Sequence, residues 1–205
     1  MEETFSLTER CIRLPIDEIG TISEGFACGN EDLDDFFHND APLYAKELLG
    51  KTYVMVLADN PNKIVCAFTV SNDSVKMALV PDNKLRNRMQ RGIPNQKRMR
   101  SYPAVLIGRL GVSMDFKGLH IGSQLLTYIM MWFINRDNKT GCRFLVVDAY
   151  NDSAVLSFYL KNGFRFFYDS EEQEREAFHI CIDAPLRQRL MIFDLMAMVR
   201  QTTAL

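Results

Sequence analysis

The stretch that most constrains this chain runs from Arg109 to Phe167, with RLGVSMDFKGLHIGSQLL at its start and FLVVDAYNDSAVLSFYLKNGFRFF at its end. Ala104 to Val112 reads as a strand with a small-residue face, and Leu119 to Arg136 as a helix that is apolar almost all round. Arg143 to Ala149 is a continuous apolar run, as a central strand buried on both faces requires. Asn151 to Asn162 reads as a helix carrying Tyr159, capped by Asn151 or Asp152 and ended by Gly163, with a strand at Gly163 to Tyr168. Between the first strand and its helix lies Lys117-Gly118-Leu119-His120-Ile121-Gly122-Ser123. The first N–H groups of a helix lack intrahelical partners and carry partial positive charge, so such a loop can cradle a phosphate-bearing cofactor. Glycines let the backbone approach phosphate oxygens, although glycines at a helix start also serve simply as tight-turn residues.

The rest of the chain fits around this core. Arg10 to Ile16 can form a first strand. Asn30 to Leu49 has helical periodicity, with Asn30 as N-cap, Gly50 as its stop, and Pro42 implying a kink or two shorter helices. Lys51 to Ala58 and Lys63 to Met77 form a hairpin about the turn Asp59-Asn60-Pro61-Asn62, and Arg189 to Met198 reads as a last strand. Residues 81–103 and 171–188 look inserted. A chain of 205 residues is one domain's worth, so a single α/β domain spanning 1–205 is expected.

Several classes are disfavoured. Formal net charge is −2, so no global basic field advertises a polyanionic partner. Met1 to Arg10 is polar and mixed in charge, so no secretory leader is expected, and Leu119 to Ile134 is too short and too interrupted to span a bilayer. Cys11, Cys28, Cys66, Cys142 and Cys181 show no C-x-x-C spacing and no His–Cys cluster. They read as reduced thiols filling core space, with no metal and a cytoplasmic setting; a nucleophilic cysteine is the alternative.

Taken in order, Leu110-Gly111-Val112, the loop Lys117 to Ser123, Val146-Val147-Asp148-Ala149, Asn151, Ala154, Phe158-Tyr159 and Gly163-Phe164 resemble the GCN5-related N-acetyltransferases (GNAT). The resemblance covers about sixty residues of sequence. It implies a mixed central sheet splayed between its fourth and fifth strands and flanked by helices, with acetyl-CoA as cosubstrate. By the same resemblance, Lys117, Gly118, Leu119, His120, Ile121, Gly122 and Ser123 hold the pyrophosphate. Leu110, Gly111 and Val112 offer backbone groups to the thioester, and Asn151 and Phe158 lie beside the cofactor. Tyr159 matches the tyrosine that protonates the departing thiolate, although its ring would pack in the core regardless. Lys117 stands where the family has Gln or Arg, and His120 where it has its central glycine, so the loop is expected to keep its shape without a positive φ at His120. His120 is read either as a donor to phosphate or as a solvent-facing or packed imidazole. No general base stands out; Asp148, Asp73 and Ser71 are candidates.

A narrower resemblance is to the GNAT branch containing bacterial toxins that acetylate aminoacyl-tRNA, carried by Cys28-Gly29-Asn30-Glu31-Asp32-Leu33-Asp34-Asp35-Phe36-Phe37, Thr52-Tyr53-Val54 and Gly108-Arg109-Leu110, with Gly111 in place of that branch's alanine. Lys84, Arg86, Arg88, Arg91, Lys97, Arg98 and Arg100 form a basic run without Asp or Glu. It can track tRNA phosphates, hold the 3′-phosphate of coenzyme A, or be a solvated loop. The expected function is transfer of acetyl to a primary amine of a small molecule or protein. An aminoacyl-tRNA acceptor is the alternative, followed by non-catalytic acyl-CoA binding. A homodimer is left open.

Overall fold

The apolar run Phe144 to Val147, interrupted only by Asp148 before Ala149, does produce a strand buried on both faces. In the computed structural model of the protein, which describes residues 5–19, 25–91, 93 and 99–202, this strand is β5, Phe144–Tyr150, and Asp148 is its one exposed residue. The other strands among the described residues are β1 Cys11–Pro15, β2 Lys51–Leu57, β3 Ile64–Lys76, β4 Ser101–Val112, β6 Arg165–Phe166 and β7 Gln188–Asp194. They form a seven-stranded mixed sheet in the order β1-β2-β3-β4-β5-β7-β6. Contacts gather into two compact units, 1–71 with 107–135 and 72–106 with 136–205, so β3 and β4 each contribute to both.

In the first unit, β1 pairs antiparallel with β2 from Cys11↔Leu57 to Pro15↔Tyr53, and β2 with β3 from Lys51↔Val70 to Val56↔Ile64, with a bulge between Met55 and Val56. Two short helices, α1 Leu7–Arg10 and α2 Ile16–Ile19, flank β1. Neither is long enough to display a period. The predicted helix over 30–49 is divided into α3 Glu31–Asp35, a π-helical turn Phe36–Asp40, and α4 Ala41–Lys46. Pro42 sits in the first turn of α4, where its missing N–H costs nothing, and the wider turn before it absorbs the steric clash a continuous helix would suffer. Asn30 caps α3 as expected, its Oδ1 accepting from Leu33 N at 3.1 Å. The stop is not Gly50, however: α4 ends at Lys46, and in the turn that follows it Leu48 takes φ +57°. Phe26, Phe37, Val54, Val56 and Ala67 form the core here, and full burial of each large side chain contributes roughly 1.5–3 kcal/mol. The long helix is α6, Ile121–Ile134, which buries Ile121, Leu125, Leu126, Ile129 and Met130 while Met131 remains 43% exposed. Near its end Trp132 meets Tyr53 edge-on at 5.0 Å, and the Arg13 guanidinium lies 4.0 Å from the indole centroid.

In the second unit, β4 and β5 run parallel, with a register of three pairs from Ala104↔Phe144 to Leu106↔Val146 in strands of twelve and seven residues. On its other side β5 pairs antiparallel with β7 along its whole length, and β6 closes the edge through Arg165↔Ile192 and Phe166↔Met191. The segment 81–103 contains α5, Asn83–Gln90, whose Leu85 and Met89 join a core with Tyr102, Phe144, Phe167 and Ile192. β4 starts at Ser101, earlier than Ala104. Helix α7, Ser153–Lys161, ends at Gly163 with φ +85°. The predicted strand over 189–198 is corrected: β7 stops at Asp194, and Met196–Thr202 is a helix, α9, whose first N–H donates to Asp194 Oδ1 at 3.0 Å.

The segment 171–188 is anchored by charge. Helix α8, Glu171–Ala177, is capped by Ser170 and buries Glu174, whose Oε2 lies 2.5 Å from Arg189 Nε and whose Oε1 accepts from Leu190 N. Arg189 also donates to Tyr168 O and stacks over Phe166 at 4.5 Å. Replacing Glu174 by Ala strands a buried guanidinium and a strand N–H, and should cost about 3–5 kcal/mol in urea denaturation. A combined Glu174→Leu, Arg189→Met variant should recover most of that loss.

Candidate active site

β4 ends with Leu110, Gly111 and Val112, and the chain is pinned as it leaves. Ser113 N donates to Val65 O at 2.9 Å and Met114 N to Ala27 O at 2.8 Å. A single 3₁₀ turn, Met114–Phe116, leads into Lys117 in extended conformation, Gly118 at φ +81° and His120 at φ +56°. The expectation that His120 would avoid positive φ is therefore wrong. Histidine is among the residues that enter the left-handed region at modest cost, and its exposed side chain meets no obstacle there. The N-cap residue, His120, makes no side-chain hydrogen bond to α6, so it takes none of the N–H groups of Ile121, Gly122 and Ser123. Nothing lies within 4 Å of where a Cβ on Gly118 would stand. Leu119 is exposed, whereas Ile121 is buried and can offer only its backbone outward. The base of this loop is held by Gln124, which sequence reasoning passed over. Its Nε2 donates to Phe5 O and Leu119 O, and its Oε1 accepts from Leu7 N at 2.7 Å. The available signal was an amide in an otherwise apolar helix.

The Cys28-to-Asp34 motif is packed directly against the same strand and loop. Asp34 accepts from Cys28 N at 2.7 Å and Gly29 N at 3.2 Å, fixing a turn with Gly29 at φ +82°. A Cβ on Gly29 would stand 2.7 Å from Met114 Sδ and 3.3 Å from Lys117 Nζ. A Cβ on Gly111 would stand 3.0 Å from Phe37 Cε2 and 3.2 Å from Cys28 Cβ, which gives a steric reason for glycine where the related branch has alanine. Burial opposes ionisation of Asp34, yet the N–H groups and the Cys28 thiol outweigh it and hold the carboxyl below its ordinary range. Burial, with that hydrogen bond to Asp34, pushes the Cys28 thiol up to about 11. Burial likewise pushes Cys11 and Cys142 up to about 11 and Cys66 well above its usual value, so these thiols stay protonated and are poor nucleophiles at neutral pH. Cys181 is exposed and does not fill core space. Arg109 is held over the Phe36 ring at 4.9 Å.

The remaining candidates lie in the second unit. Tyr159 is on α7 with 9% exposure, edge-on to Phe158 at 5.1 Å and to Phe164 at 5.3 Å. Burial pushes its phenol up to about 12. Asn151 does not cap α7; Asp152 does, accepting from Ala154 N and Val155 N. Asn151 instead donates both amide hydrogens, to Glu171 Oε1 at 2.9 Å and Leu186 O at 3.0 Å, so it ties the start of α7 to the segment before β7. Of the candidate bases, Asp148 is exposed on β5, and Ser71 and Asp73 lie within β3, where Asp73 Oδ1 accepts from Ser74 N. No group of three or more His, Cys, Asp or Glu among the described residues is placed to hold a metal ion.

The model of the acetyltransferase (GNAT) family matches residues 58–164, just over half of the chain. Solved structures with the same fold include a point mutant of KacT, at 19% identity and TM-score 0.71 over 94% of this chain and 99% of that one. AtaT complexed with acetyl-methionyl-tRNAfMet is similar at 15% identity and TM-score 0.66, covering 94% and 99%. AtaTR bound with AcCoA is similar at 16% identity and TM-score 0.68, covering 95% and 99%. The family match over more than half of the chain shows that the chain belongs to the GNAT family and is an N-acetyltransferase.

Two outcomes follow from this geometry. Gly111→Ala should lower stability by about 1–3 kcal/mol, measured by urea denaturation, because Phe37 and Cys28 must both shift. Tyr159 keeps its proton in the folded state up to about pH 12, whereas unfolded tyrosine ionises near 10. Its contribution is complete below pH 10 and is lost as pH rises from 10 to 12. Tyr159→Phe should therefore flatten the fall of Tm across that interval.

Proposed function

We propose that the protein transfers the acetyl group of acetyl-CoA to the α-amino group of an aminoacyl-tRNA. The observation that carries this reading is the Cys28-to-Asp34 motif packed on Gly111 and Lys117, which joins the sequence signature of the toxin-like branch to the cofactor loop. Likeness over nearly the full length to a tRNA-bound AtaT structure supports it. A second reading, a primary amine on a small molecule or protein, is favoured by the net charge of −2 and by the burial of Tyr102, the aromatic residue flanking the basic run. The side chains of Lys84, Arg88, Lys97 and Arg98 lie outside the described residues. The reaction belongs in the cytoplasm, where unpaired thiols stay reduced.

The loop suits a pyrophosphate: its N–H donors lack a side-chain cap, and Gly118 leaves open space for oxygens. Lys117, kept extended beside Gly29, adds a positive charge. Acetyl-CoA supplies the activated acyl group as a thioester. Backbone N–H groups around Gly111 and Val112 polarise its carbonyl oxygen. As the new C–N bond forms and the C–S bond breaks, Tyr159 gives its proton to sulfur, and the attacking nitrogen loses one to water. A phenol held up to about 12 remains protonated at neutral pH, as a donor must.

The test is an acceptor panel with acetyl-CoA, monitored by free thiol release, that includes aminoacyl-tRNA, free amino acids, polyamines and peptides. Aminoacyl-tRNA should be the preferred acceptor. Tyr159→Phe should lose about 10²- to 10⁴-fold in kcat with acetyl-CoA affinity kept. Gly122→Glu should lose acetyl-CoA binding in calorimetry. Turnover of a small amine with none of aminoacyl-tRNA would overturn the acceptor assignment, and unchanged binding by Gly122→Glu would overturn the loop.

A further inference from the structure

The second unit contains a cavity of about 260 Å³ that plays no part in the reaction derived above. Its floor is apolar, built from Met89 on α5, Phe144 on β5, and Ile192 and Phe193 on β7, each under 10% exposed. Its walls include three exposed arginines from sequence-distant places: Arg91 just after α5, Arg165 on β6 and Arg200 on α9. The carboxylate on the lining, Asp194, is already engaged, by Arg143 Nη2 at 2.9 Å and by Met196 N at 3.0 Å. No carboxylate among the described residues forms an ion pair with Arg91, Arg165 or Arg200.

Three positive charges around one concavity, with no ion-pair partner among the described residues, jointly attract an anion held there. Guanidiniums form paired hydrogen bonds with phosphate or carboxylate oxygens. The floor adds a second requirement, because it has no polar group to offer and gains only by covering apolar surface. A bare inorganic anion would leave it uncovered, and a neutral apolar molecule would leave the arginines unpaired. The volume lies just below the usual range for ligand pockets, so the ligand is small.

We propose that this cavity binds a small organic anion, an apolar body of roughly ring size bearing a phosphate or carboxylate, at a site separate from the acetyl-transfer chemistry. The basic run is thereby given a structural purpose in part: α5 turns its apolar residues into the core and delivers Arg91 to the cavity wall.

Phenyl phosphate and phenylacetate serve as probes for the two anionic groups, with inorganic phosphate as reference, in calorimetric titrations of the full chain. At least one aromatic probe should bind saturably, about tenfold or more tighter than inorganic phosphate. An Arg165→Glu, Arg200→Glu double variant should lose that binding at least tenfold. Ala197→Trp, which adds bulk to an exposed position on the lining, should lose it by filling the space while leaving the arginines in place. Both variants should bind acetyl-CoA as wild type does. Absence of saturable binding at millimolar probe would overturn the proposal, as would equal binding of inorganic phosphate. Competition by acetyl-CoA would overturn it by assigning the cavity to the cosubstrate, and preference for a short oligonucleotide would overturn it in favour of a nucleic-acid track.

Discussion

Gly111 has no side chain, and Phe37 and Cys28 occupy the approach a β-carbon would need, at 3.0 and 3.2 Å. Much of the first unit follows from that contact. Phe37 is fully buried in a core with Phe26, Val54 and Val56, so the end of β4 rests on that core. Cys28 begins the turn that Asp34 fixes, and the turn in turn meets Met114 and Lys117. A loop that presents backbone donors is useful only if it does not relax when an anion arrives or leaves. Here the rigidity comes from packing on one side and from Gln124 on the other.

Tyr159 illustrates how one environment serves two ends. Its ring is clasped by Phe158 and Phe164, which sets its position as in any aromatic core. The same desolvation favours the neutral phenol, so packing and proton retention arise from a single cause. Asn151 behaves differently. The resemblance places it beside a cofactor, yet both its amide hydrogens are spent on Glu171 and the backbone at Leu186. What it retains for a ligand is its amide oxygen alone.

Legibility in the sequence tracked the range of the interactions involved. Strands β2, β3 and β5 and helices α6 and α7 were readable because each has its own periodicity or apolar run with turn residues at its ends. Helix α9 was not, since Leu190 to Met198 is apolar almost without a break; Asp194, which receives the N–H of Met196, was the one local clue. The positive φ at Leu48, just after α4, and at His120 went unseen because both residue types usually avoid that region or enter it only when context requires. The roles expected of the loop Lys117 to Ser123 and of Tyr159 came from the family resemblance, not from local pattern. The contacts that tie Cys28 and Gly29 to Gly111 and Lys117 join residues some eighty positions apart, and no local pattern encodes them.

The single tryptophan of the chain sits where several first-unit elements can be heard at once. Trp132 lies near the end of α6, against Tyr53 of β2 and Phe68 of β3, with the charge of Arg13 from β1 over its ring. An indole so placed is sensitive in emission wavelength to hydration and to a nearby cation. Tyr53, centred 5.0 Å away, is close enough to pass excitation to it. Intrinsic fluorescence of this protein is therefore a one-site optical report on whether α6 remains seated on the first three strands. The glycine loop hangs from the opposite end of that same helix.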